Sequence, residues 1–166
     1  MIKPLNGLTR AENAELIGRW IKDLQPTHFV TLATNWDSRL FRNSHTHRSL
    51  SPEQKLRTIT ADLHNWGARV DRDLLGHSWQ RKRDRRIRGF GVPEHLETNI
   101  HLHCVIDVSA SVCSTAFVVA AMNHWVRLVP TGNAKIYPFE EKNLEWYISK
   151  EGRRLSFSTF GLIGPQ

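Results

Sequence analysis

A chain of 166 residues with two cysteines is long enough to bury a core without cross-links; the two are too few for a disulfide scaffold and lack the paired spacing of a structural zinc module. Its 23 Lys and Arg against 16 Asp and Glu leave +7 with His neutral, a surplus that makes nucleic acid the leading partner class. No apolar run approaches membrane-spanning length and the opening MIKPLNGLTR carries no apolar signal core, so a cytoplasmic chain without a membrane partner is expected.

Thr9 with Glu12 three residues on forms a capping box, and Leu16, Ile17, Trp20 and Leu24 then recur at helical spacing. This predicts an amphipathic helix closed by Pro26, an extension over residues 1–26 that acts as a lid outside the central motif. HFVTLA, residues 28–33, is short and rich in β-branched and aromatic residues and reads as the first strand. Thr34, Asn35, Trp36 and Asp37 continue it as a polar end. Residues 36–49 read as a loop in which His45 and His47 form an HxH pair. Nothing apolar alternates around that pair, so exposed loop histidines are expected there rather than metal ligands.

Ser51, Pro52 and Gln54 mark a helix start with a cap, a first-turn proline and a capping-box partner. Leu56, Ile59, Leu63, Trp66, Val70 and Leu74 then form one apolar stripe that Gly76 ends. Beyond it Arg81, Lys82, Arg83, Arg85, Arg86 and Arg88 concentrate cationic groups; a solvated face is the plain alternative, but their density and the net charge favour a phosphate path. Trp79 beside them could stack a base or simply pack.

A second strand is expected over 87–92, a turn over 93–99 and a third strand over 100–108. In the third, Ile100, Leu102, Cys104, Ile106 and Val108 can face a core while His101, His103, Val105 and Asp107 point the other way. Two imidazoles on one pleated face are candidates to hold a divalent ion, with a carboxylate from a neighbouring strand completing the shell. Surface histidines on a half-exposed sheet are the plainer alternative. Asp107 could serve as an acceptor for an imidazole, although it lies far along the strand from His103.

Ser109 or Ser111 opens a helix bearing Phe117, Val118, Ala121, Trp125 and Leu128, which Pro130 stops. A fourth strand follows over 134–139, with Tyr137 packing. A short helix capped by Asn143 carries Leu144, Tyr147, Ile148 and Lys150, and residues 156–160 suggest an edge strand. The closing GLIGPQ fits either a natural end or a cut in a longer chain. The order β-α-β-β-α-β predicts an α+β, ferredoxin-like fold whose antiparallel sheet has helices on one face and an open face for a ligand.

Three blocks occur in order: HFVTLATN (28–35), PEHLETNIHLHCVI (93–106) and EWYISKEG (145–152). In these the chain resembles the HUH endonuclease domain of rolling-circle replication initiators, the Rep proteins of plasmids, phages and small circular-DNA viruses. The likeness spans about residues 27–152, and a domain over 27–166 follows from it. The alanine within TLATN and the lack of a glycine before His101 point to the bacterial or plasmid branch.

The resemblance implies Mg2+ or Mn2+ held by His101 and His103, with Glu94 as third ligand and His95 or Glu97 as rivals. Neighbouring residues at a strand end are not both expected to point inward, so Glu94 and His95 compete. Tyr147 would be the nucleophile and Lys150 would place the phosphate, while Glu151 faces solvent. Arg81, Lys82, Arg83, Arg85, Arg86, Arg88 and Asn35 would contact DNA. The implied activity is site-specific nicking of single-stranded or hairpin origin DNA through a 5′-phosphotyrosine, with a host helicase and polymerase as further partners. A single-tyrosine transposase or relaxase would use almost the same residues. From a different class, a non-catalytic single-stranded nucleic-acid-binding domain would use the open sheet as a platform.

Overall fold

The computed structural model describes residues 10–35, 50–140 and 161–164. The fold is α+β: among the described residues it has three α-helices and a five-stranded antiparallel sheet, an arrangement compatible with a ferredoxin-like fold. Helix α1 is Arg10–Leu24, strand β1 His28–Ala33, helix α2 Pro52–Leu75, strand β2 Arg88–Glu94, strand β3 His101–Asp107, helix α3 Ser114–Leu128, strand β4 Asn133–Pro138 and strand β5 Gly161–Ile163. Their spatial order is β4-β1-β3-β2-β5. Among the described residues no helix is long and apolar enough to cross a membrane.

Helix α2 forms where its caps dictate. The Ser51 hydroxyl accepts from the Gln54 amide and the Gln54 side chain accepts from the Ser51 amide, while Gly76 closes the other end at φ 76°. Its stripe of Ile59, Leu63, Trp66 and Val70 is fully buried with Val30, Leu32, Leu102, Cys104 and Ile106 beneath and Phe117, Ala121 and Trp125 of α3 beside it. Both buried indoles are satisfied: Trp66 donates to the Ala121 carbonyl and Trp125 to that of Ala33, each at 2.9 Å. Gly91 and Gly161 let Leu63 settle onto the sheet, since a Cβ at either would lie under 3 Å from its methyl groups.

Direct register fixes the other face. His101 lies between Ala33 and Glu94, His103 between Thr31 and Val92, and Val105 between Phe29 and Phe90. Side chains opposite one another in a ladder share a face, so the histidines stand away from α2 and α3 as the alternation predicts. That face is not wholly open, which corrects the expectation of helices on one side only. Ile21 of α1 is buried against Phe90, Val92 and Val105, with Leu24, Phe29 and Phe139 at the margin. The row beyond the histidines is too apolar to be left in water, and α1 covers it.

Several boundaries also moved. Strand β2 runs through Pro93 to Glu94, α3 begins at Ser114 rather than at Ser109 or Ser111, and β5 occupies 161–163. Residues 156–160 and the Asn143 helix lie outside the described residues, as do His45 and His47.

Candidate metal centre

The ends of β2 and β3 bring Glu94 and His101 directly opposite each other, with His103 two residues further along β3 on the same side. Oε2 of Glu94 lies 3.2 Å from Nε2 of His103 and 3.8 Å from Nε2 of His95. The Glu94 and His103 side chains are 8% and 13% exposed, so this contact is made largely out of water.

Each imidazole is oriented through its other nitrogen. Nδ1 of His101 donates to the Asn99 carbonyl at 2.6 Å, which puts the neutral ring's lone pair on Nε2. Nδ1 of His103 is 3.2 Å from the Thr31 hydroxyl, and Phe29 stacks on its ring with centroids 5.8 Å apart. A hydroxyl can donate or accept, so Thr31 suits either tautomer of His103. Burial, then the neighbouring imidazoles of His103 and His95, pull the His101 pKa down, against the opposing pull of Glu94. A neutral imidazole is the form that ligates metal.

His95 departs from the expected competition with Glu94. The strand ends at Glu94, and His95 adopts a left-handed conformation, φ 56°, as the chain turns and the Thr98 amide donates to the His95 carbonyl. Its ring lies edge-on to His101 with centroids 5.7 Å apart, although the side chain is half exposed. Glu97 turns elsewhere: its carboxylate is 3.9 Å from the ammonium of Lys55. Lys55 itself is buried and donates to the Leu96 carbonyl at 3.0 Å, tying the turn to the first part of α2.

Among the described residues, no three His, Cys, Asp or Glu groups form a ready ion-binding cluster. The donor chemistry nonetheless fits a divalent ion. Two imidazoles with second nitrogens held by Asn99 and Thr31, plus one carboxylate, make an N2O set of the kind first-row metals accept. Glu94 and His101 are directly opposed, a placement in which Cβ atoms lie about 5 Å apart, and Oε2 of Glu94 already lies 3.2 Å from Nε2 of His103.

The remaining sequence candidates are scattered. Tyr147, Lys150 and Glu151 lie outside the described residues. Asn35 lies two residues beyond the end of β1, with φ 46°. The basic segment begins β2, six residues from Glu94, or about 20 Å along a strand, and much of it is engaged within the fold. Arg86 pairs with buried Asp71 at 2.7 Å and lies over Trp79 at 4.6 Å from the ring centre. Arg88 pairs with Asp107, Lys82 donates to the Leu75 carbonyl and Arg85 to the Ser111 hydroxyl. Trp79 and Asp107 thus have partners in the basic segment rather than at the imidazoles.

Sequence reasoning missed Thr31, Asn99 and Lys55. Thr31 shares a face with Phe29 and Ala33 by simple alternation, but only the β1–β3 register places it opposite His103. The chain matches no family model, no curated protein and no solved structure in comparisons with each.

Proposed function

We propose that this chain is an HUH-type, metal-dependent endonuclease that nicks single-stranded DNA and so initiates rolling-circle replication. The observation that carries the reading is the set of Glu94, His101 and His103 on one sheet face, the two imidazoles held by their far nitrogens. Glu94, His101 and His103 would hold Mg2+ or Mn2+, with His95 at the rim. The bound ion would polarise the scissile phosphate and offset charge on its oxygens.

Tyr147 supplies the nucleophile in this reading. Its phenol oxygen bonds to phosphorus as the bond to the 3′ oxygen breaks, the proton lost by the phenol being balanced by the one the 3′ oxygen gains, which leaves a 5′-phosphotyrosine and a 3′ hydroxyl. Lys150, three residues on, steadies the phosphate. The half-covered face agrees less well with a base-stacking platform, because the aromatic Phe90 is buried with Ile21 and so offers bases no ring.

A labelled single-stranded oligonucleotide incubated with Mn2+ tests the reading through an SDS-resistant adduct. Tyr147→Phe is expected to abolish the adduct while keeping DNA affinity, and His101→Ala to lose metal-dependent cleavage. Equal labelling of the Tyr147→Phe protein would defeat the assignment.

A further inference from the structure

On the far side of the sheet from the histidines, α2 and α3 enclose a groove of about 480 Å3 lined by Arg69, Arg72, Asp73, His124 and Arg127. The three arginines are exposed, and none has an ion-pair partner among the described residues. Asp73 contributes the groove's carboxylate, and Nε2 of His124 holds it at 3.2 Å. The groove thus sets three guanidinium groups against one carboxylate. Arg69 and Arg72 stand three apart on one helix, where like charges repel.

This contrasts with the segment after α2, where Arg85, Arg86 and Arg88 spend donors on Ser111, Asp71 and Asp107. The cations conspicuous in the sequence are largely used by the fold, whereas those left for a ligand are spaced along two helices. We infer that the α2–α3 groove is a binding site for the sugar–phosphate backbone of a nucleic acid. Guanidinium forks match phosphate oxygens. Cations drawn from two helices around an open groove suit successive phosphates better than one small oxyanion. Such contacts read charge rather than sequence, so the site would hold DNA flanking whatever the other face engages. The inference stands without the metal reading.

The test measures binding of a labelled duplex and a single strand of unrelated sequence in EDTA, across a salt series. Arg69→Gln, Arg72→Gln and Arg127→Gln are combined. A control of equal charge change combines Arg19→Gln, Lys22→Gln and Arg57→Gln, all exposed positions elsewhere. The groove variant is expected to bind roughly tenfold more weakly, and its duplex slope of log affinity against log salt to fall by roughly 0.9 for each lost phosphate contact. The control should keep most of both.

Equal losses in the two variants would reduce the effect to net charge and overturn the site. So would unchanged nucleic-acid binding, including the case in which the groove variant instead loses retention on vesicles of anionic lipid. Should the triple variant melt early, Arg127→Gln alone carries the test through its duplex slope. Cleavage of a short oligonucleotide spanning only the nick should survive in every groove variant, which separates this inference from the proposed activity.

Discussion

Nε2 of His103 lies 3.2 Å from Oε2 of Glu94, so the nitrogen and oxygen that would both face an ion face each other instead. Binding a cation between them must part the two atoms and needs Nε2 free of a proton. The imidazole then has to carry its hydrogen on Nδ1, where the Thr31 hydroxyl can accept it.

Mn2+ is therefore expected to raise the thermal midpoint of the protein, by an amount that grows with concentration. At a hundred times Kd the gain is about 2.7 kcal/mol. Glu94→Gln and His101→Ala should each remove most of the shift, and His95→Ala little of it. A midpoint indifferent to Mn2+ in the unsubstituted protein would dispose of the ion site.

Thr31→Val keeps the shape of the side chain and deletes the acceptor for His103 Nδ1. The expected loss in Mn2+ affinity is roughly tenfold to a hundredfold, the usual cost of removing a partner behind a ligand. Calorimetric titration of the two proteins measures it.

Lys55→Met leaves the Leu96 carbonyl without its ammonium donor. The expected cost is about 1–3 kcal/mol, read as a lower urea midpoint. Because Leu96 sits in the turn that carries Asn99, Mn2+ affinity should fall as well. A stability loss with affinity intact would limit Lys55 to the scaffold.

Gly91→Ala would set a Cβ 2.8 Å from both a Leu63 methyl and the Cys104 sulfur. Such overpacking costs about 1–3 kcal/mol. Leu63→Ala in the same chain should recover part of that cost, so a double-mutant cycle by denaturant unfolding should show coupling between the two sites.

Acid should weaken the fold through His28. Its ring is buried, its nitrogens meet Thr27 and Ser114 at 2.8 Å each, and burial lowers its pKa below 6.5. The unfolded chain then binds the proton more readily than the folded one. Stability is full above about pH 6.5 and declines as pH falls through the lowered folded value. The urea midpoint of the His28→Gln protein should change less between pH 7.5 and pH 5.

Much of this architecture is written locally. The capping box at Ser51, the stop at Gly76 and the alternation around HLH each specify their element from neighbouring residues, and the structure places those elements accordingly. The run of β2 on through Pro93 to Glu94 escaped because Pro93 reads as a strand breaker. Among the described residues, β5 pairs with Gly89, Phe90 and Gly91, while Pro93 lies opposite Leu102 of β3. The engagement of Arg86 and Arg88 escaped because Asp71 and Asp107 come from α2 and β3, partners that no local pattern announces. The α2–α3 groove escaped because its arginines are dispersed through two helices.

The seat of Ile21 on Phe90, Val92 and Val105 bears on where the chain can be divided. A boundary at Pro26 looks natural in the sequence, yet it passes through a packed layer. A protein starting at Thr27 would bare an oily strip beside the imidazoles and invite self-association. Residues 10–24 are better regarded as one wall of the building than as its porch.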